Sequence, residues 1–147
     1  TYVEDENIEL KATKKIYDTL GESSHINITS YKANVLLTGE VPDENAKTKA
    51  GQIILGIENV KSITNELAIG PVTSISSRAN DAYLTSKVKA QFVSENRFQA
   101  NYVKVVTENS VVYLLGYVTQ QEAENAVEIA RNTSGVSRVV KVFEYIP

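Results

Sequence analysis

Apolar residues recur at Ile8, Ala12, Ile16 and Leu20, every fourth position in a polar background. That spacing keeps one helical face apolar. It predicts a helix capped by Asp5 or Glu6, running to Leu20 and stopped by Gly21. The period then falls to two: Ile26 and Ile28 alternate with polar residues, as in a half-buried strand. Tyr31-Lys32-Ala33-Asn34 reads as a turn, and Val35 and Leu37 open a second strand that ends at Gly39. Pro42-Asp43-Glu44 starts a second helix, with Ala46, Ala50, Ile53 and Ile54 on its buried face, and residues 60–69 form a third strand. The same order then returns. Asp81 caps a helix to about Glu95, and strands follow near 102–107 and 111–118. A helix over about 120–133 is ended by Gly135, and a last strand runs from Val136 to Tyr145.

The two halves match residue by residue. Residues 5–69 and 81–146 align at an offset of 76–77, so that Val35-Leu36-Leu37-Thr38-Gly39-Glu40-Val41 answers Val112-Tyr113-Leu114-Leu115-Gly116-Tyr117-Val118. Ala46 matches Ala123, Val60 matches Val136, and Lys11 matches Lys87. A repeat of this length is a whole domain rather than a solenoid unit. The expected domains are residues 1–70 and 80–147, joined by a Gly-, Pro- and Ser-rich linker at 71–79. The fold class is α+β: each domain is α-β-β-α-β, with two helices packed on one face of a three-stranded mixed sheet. Ile26, Ile28, Val35 and Leu37 face the helices in copy one, and Val103, Val105, Val112 and Leu114 do so in copy two. The opposite faces differ. Copy one offers Asn27, Thr38, Glu40, Thr64 and Glu66, with Leu36 the exception; copy two offers Val106, Tyr113, Leu115, Tyr117, Val140 and Val142. So apolar a face calls for a cover, from copy one or from a partner.

Composition narrows the function classes. No apolar run approaches the ~18 residues of a membrane span. The chain has no Cys, which excludes disulfides and thiolate chemistry, and no Met even at position 1. A processed or trimmed chain is therefore expected, with any signal peptide or anchor cysteine already missing. His25 is the only histidine and reads as an ordinary surface residue. A zinc site would need carboxylates for its other ligands, and none stands at recognisable spacing. There is no G-x-S-x-G, G-x-G-x-x-G or P-loop. Glu122, Glu124 and Glu128 read as first-turn and surface charges. No catalytic residue, cofactor or metal is expected. Residues 1–70 hold 7 Lys and 11 Asp/Glu, a net of −4, whereas residues 71–147 hold 8 Lys/Arg and 7 Asp/Glu, a net of +1. If either copy meets an anionic surface, it is the second. Nucleic acid is not an expected partner, since the basic groups form no track.

The helix at 81–95 carries the candidate site. On a wheel, Leu84, Val88, Gln91 and Phe92 form the core stripe. Tyr83, Ser86, Ala90 and Val93 face outward; Lys87 and Lys89 lie on the two borders, and Arg78 and Arg97 flank the ends. A small apolar stripe with one aromatic and an edge of cations suits an anionic phospholipid surface. Tyrosine has an apolar ring and a polar hydroxyl, and lysine stems follow an apolar boundary while their ammonium groups reach phosphates. The expected lipid-binding residues are Tyr83, Ser86, Lys87, Lys89, Ala90, Val93 and Arg97. Tyr83 packing on the other domain is the competing reading. Copy one has Asn7 in place of Tyr83 and Thr13 in place of Lys89, among Glu4, Glu6 and Glu9.

These patterns resemble the BON domain (bacterial OsmY and nodulation domain). Val112-x-Leu114-x-Gly116-x-Val118, Ala123, Ala126, Gly135-Val136 and Val139 carry the resemblance in copy two. Val35-x-Leu37-x-Gly39-x-Val41, Ala46, Ala50 and Val60 carry it in copy one, which has Asn59 where the glycine is usual. Two adjacent copies, with Asn80-Asp81-Ala82-Tyr83-Leu84-Thr85-Ser86-Lys87-Val88 and Val103-Lys104-Val105-Val106-Thr107-Glu108-Asn109, look like the dual-BON outer-membrane lipoproteins of Gram-negative bacteria. That branch is associated with cell division and stress and binds lipid. The resemblance implies a non-enzymatic protein at the periplasmic face of the outer membrane, anchored through an N-terminal cysteine absent from this chain. It implies recognition of anionic phospholipid (phosphatidylglycerol) by the first helix of the second domain, in support of envelope integrity. A soluble periplasmic stress or chaperone-like protein and a protein–protein adaptor are the alternatives. An envelope protein partner stays open, and a monomer is the expected state.

Overall fold

The structure is a computed structural model that describes residues 2–147, with side chains described from Val3 onward. Two compact units divide it, residues 1–73 and 74–147. In unit 1, helix α1 (Tyr2–Leu20) leads through a 3-10 turn to strands β1 (His25–Tyr31) and β2 (Asn34–Val41). Helix α2 (Glu44–Leu55), strand β3 (Ser62–Asn65) and strand β4 (Ala68–Ile69) follow. In unit 2 the order is α3 (Ile75–Glu95), β5 (Lys104–Glu108), β6 (Val111–Val118), α4 (Gln120–Arg131) and β7 (Arg138–Tyr145). Each is an α-β-β-α-β unit. The central strand pairs antiparallel with the strand before it and parallel with the strand after α2 or α4.

The period-two and period-four residues meet as their spacing requires. Ile8, Ala12 and Ile16 pack with Val35, Leu37, Val41, Ala46, Ala50 and Ile54. In unit 2, Val88 and Phe92 pack with Val103, Val105, Val112, Leu114, Ala126 and Ile129, and the Phe92 and Phe98 rings meet edge to face at 5.0 Å. Asp43 caps α2 by accepting the Ala46 N–H at 2.8 Å. Thr119 and Glu122 form a capping box at the start of α4.

Gly39 and Gly116 have a steric reason. A Cβ on Gly116 would lie 2.5 Å from the Tyr102 carbonyl oxygen, and one on Gly39 would lie closer still to the His25 carbonyl. Only a residue without a side chain lets the incoming strand cross there. Asn59 adopts φ +75°, the left-handed conformation that Gly135 takes at φ +96° in the other copy. Asparagine is among the residues that tolerate it, so the turn survives the substitution.

Four details depart from the sequence reading. Helix α1 takes in Tyr2–Leu20, so Asp5 lies inside it and is not its cap. Helix α3 begins at Ile75, six residues before Asp81, and takes in residues 75–79 of the stretch read as linker; its cap is Ser74, which accepts the Ser77 N–H at 3.1 Å. The third strand of unit 1 is broken at Glu66-Leu67, where the Asn65 side chain donates to the Lys47 carbonyl and accepts the Leu67 N–H. His25 is no ordinary surface residue: its Nδ1 is 3.0 Å from Glu40 Oε1, and the two side chains are only 15% and 8% exposed.

Asp5 and Asp81 instead hold the hairpin turns. Asp81 is 4% exposed and accepts the N–H groups of Asn109 and Ser110, both at 2.8 Å. Asp5 accepts the N–H groups of Lys32 and Ala33 at 2.8 Å and the Ser30 hydroxyl at 2.7 Å. Both turns have two successive residues at positive φ: Lys32 and Ala33, then Asn109 and Ser110. That is the type I′ pattern of a two-residue hairpin. Neither turn contains glycine at these positions, so each uses a backbone conformation that side chains disfavour. The carboxylate offsets that cost by binding both exposed N–H groups. Burial pushes the Asp5 pKa up, but the bonds from Ala33, Ser30 and Lys32 outweigh it and leave it below the ordinary carboxylate value. Burial and the Asp5 charge raise the phenol of Tyr31.

Candidate functional site

Helix α3 buries Asp81, Leu84, Val88 and Phe92, spaced three and four apart. The opposite side of the helix is open. Tyr83 is 61% and Val93 68% exposed, and Ser86, Lys89 and Ala90 are exposed with them. The Ser86 hydroxyl donates to the Ala82 carbonyl at 3.2 Å, which leaves a side chain of low polarity facing out. Gln91, assigned to the core stripe by the wheel, is exposed at its edge.

The early start of α3 lengthens this side. At 100° per residue, Ile75, Ala79 and Ala82 fall on the same face as Ser86 and Val93. Ile75 is 84% exposed. From Ile75 to Val93 the stripe spans about 27 Å at ~1.5 Å per residue. Arg78 and Lys89 line one edge of it, three turns apart, and both are exposed. Sequence reasoning missed Ile75, Ala79 and Ala82. The usable signal was Ser74 followed by Ser77, a capping residue where a linker was expected.

The other two cations are differently placed. Lys87 is half-buried; its Nζ donates to the Ser134 carbonyl at 2.8 Å and the Ser134 hydroxyl at 2.7 Å. The same Nζ lies 5.3 Å from the centre of the Tyr83 ring, close enough for a cation–π contact. Arg97 donates to Glu128 Oε1 at 3.2 Å and to Asn125 Oδ1 at 2.7 Å, with Glu95 at 3.7 Å. These two residues brace α3 against α4 and the turn after it. Of the sequence-predicted set, the structure therefore brings Tyr83, Ser86, Lys89, Ala90 and Val93 together on one open surface. It places Lys87 and Arg97 at the borders, with their charges engaged inside the unit.

No helix among the described residues is long and apolar enough to cross a membrane. The surface chemistry is that of a shallow contact: a long strip of small and mid-sized apolar groups, one phenol and two open cations.

The family model described as BON domain matches residues 5–71 and 80–147. Among known proteins, the chain is 37% identical to the outer membrane lipoprotein DolP of Haemophilus influenzae, over 99% of this chain and 77% of that protein. It is 33% identical to the 21 kDa hemolysin of Actinobacillus pleuropneumoniae, over 99% of this chain and 76% of that protein. It is also 29% identical to the osmotically-inducible protein Y of Escherichia coli, over 88% of this chain and 66% of that protein.

Proposed function

The chain belongs to the BON-domain family, and from that premise we propose that it is a non-enzymatic phospholipid-binding protein of the outer-membrane lipoprotein type. Its similarity along nearly its whole length to an outer membrane lipoprotein supports a place at the periplasmic face of the outer membrane, held by a lipid anchor. The observation that carries the lipid reading is the outward side of α3. Tyr83, Val93 and Ile75 are all more than half exposed there, directly opposite the helix's core stripe, and Arg78 and Lys89 edge them.

The energetics fit a helix that lies on the surface. Small residues at 79, 82, 86 and 90 let the helix approach the headgroups closely. Tyr83 places a ring at the polar boundary, and Ile75 and Val93 reach the acyl edge at the two ends. Arg78 and Lys89 each contribute about 1 kcal/mol near an anionic surface. Binding is then weak, reversible and salt-sensitive, and an anchor in the same membrane makes weak binding sufficient by raising the local concentration. The surface lies in the unit with the more positive net charge. The role is contact with anionic phospholipid such as phosphatidylglycerol, in support of envelope integrity.

The test is binding to vesicles with and without phosphatidylglycerol, at low and high salt. The intact chain is expected to prefer anionic vesicles and to lose them in high salt. Tyr83→Glu is expected to abolish binding without altering the circular dichroism spectrum. Equal binding to neutral vesicles, or a Tyr83→Glu variant that binds normally, would sink the reading.

A further inference from the structure

The Lys87 ammonium is fixed in place without being neutralised. Its two acceptors, the Ser134 carbonyl at 2.8 Å and the Ser134 hydroxyl at 2.7 Å, are both uncharged. The turn that carries them is itself held. Thr133 is buried, its hydroxyl donates to the Ile129 carbonyl at 2.9 Å, and its own carbonyl accepts the Val136 N–H at 3.3 Å. A surface lysine normally swings its charge on a flexible stem. This one keeps it 5.3 Å from the centre of the Tyr83 ring, and the two residues stand four apart, one turn of helix.

That position matters because an exposed aromatic ring attracts cations. Its negative face holds them within about 6 Å of the ring centre, and quaternary ammonium groups are recognised in this way. Phosphatidylcholine and phosphatidylethanolamine carry an ammonium in the headgroup; phosphatidylglycerol carries none. A ring as open as Tyr83 would by itself give ammonium headgroups a foothold. Lys87 already stands within that reach. A headgroup ammonium on the same face meets Nζ, and one on the other face meets a ring already engaged, with a like charge behind it.

We infer that Lys87 sets the headgroup selectivity of this surface: held on Ser134, it fills the cation seat of the Tyr83 ring and turns away lipids whose headgroup carries an ammonium. The inference rests on the lipid reading and adds exclusion to attraction. Lys89 serves as the contrast. It is exposed on the other edge, and its neighbours one turn away are Thr85 and Val93, so it guards no ring. Copy one keeps the lysine as Lys11 but has Asn7 in place of the ring and Glu58 in place of Ser134.

Lys87→Gln and Lys89→Gln remove the same charge from the same helix, so a difference between them is not one of net charge. Both are expected to bind phosphatidylglycerol vesicles about 5-fold less tightly. Only Lys87→Gln is expected to gain on vesicles of phosphatidylcholine alone, by about 2- to 5-fold, which is what one exposed cation–π contact supplies. Adding Tyr83→Leu to Lys87→Gln should erase the gain. Circular dichroism checks the fold. Should Lys87→Gln unfold the unit, Ser134→Ala decides the matter, since it keeps the charge but loosens its hold: a gain on phosphatidylcholine supports the inference and no gain overturns it. The inference is also overturned if the two lysine variants behave alike on phosphatidylcholine, or if the gain survives Tyr83→Leu. An unaltered chain with no preference for phosphatidylglycerol would instead sink the lipid reading, and this inference with it.

Discussion

One aspartate in each copy does work that its sequence position disguises. Asp5 and Asp81 stand one turn before the first core residue of a helix, Ile8 or Leu84, which is where a capping residue belongs. Both are instead inside longer helices and reach 28 or so residues along the chain to hold a hairpin turn. A cap and a long-range anchor use the same side chain, and only the tertiary partner tells them apart. His25 was misread for the same reason: its partner Glu40 is 15 residues away. Asp81→Ala removes the charged acceptor of both turn N–H groups, and a loss of about 2 kcal/mol is expected, measured as a lower urea midpoint. Asp5 gives a pH signature. Its folded pKa lies below the unfolded value, so its stabilisation is complete above the ordinary carboxylate range and is lost as pH falls through the folded value. Asp5→Asn should flatten the acid limb of the stability curve below about pH 4, and an unchanged limb would count against the anchor.

At the scale of elements, hydrophobic period located every helix and strand but not every end. The strands of both hairpins, α2 and α4 were legible because each buries a regular set of side chains. The first turns of α3 were not, because Ile75, Arg78 and Ala79 are exposed and leave no mark in an apolar pattern. Burial writes the period; an unpacked turn writes nothing. The outward stripe was legible only in part, and for that reason its Ile75 end was lost. Losing the Ser74 cap should fray that end. Ser74→Ala is expected to cost about 0.5–2 kcal/mol of local helix stability, read as faster amide exchange at residues 75–79 with the later turns unchanged. The V-x-L-x-G-x-V pattern was visible as a signature, but its reason was not. Gly116→Ala drives a methyl group at the Tyr102 carbonyl and is expected to lower the thermal midpoint by several degrees.

Across the whole molecule, charge is divided between the repeats, net −4 before residue 71 and +1 after it. If that division steers the chain to anionic membranes, charge reversals act by location rather than by number. Arg78→Glu with Lys89→Glu is expected to weaken vesicle binding roughly 10-fold or more, at about 1 kcal/mol per basic group removed, and to remove its salt dependence. Lys47→Glu with Lys49→Glu, the same change in net charge placed in unit 1, should leave binding nearly unaltered. Equal losses from both pairs would mean that vesicles sense only total charge.

The side of α1 and α3 that binds the hairpin turn and core is the opposite side from the one that faces outward. A duplicated segment built this way can drift on its outer half while its inner half stays fixed by the turn it must hold. Each copy is then a ready host for the other's surface. Exchanging Asn7 and Thr13 for Tyr and Lys would graft a rudiment of one face onto the other helix without touching what makes it fold.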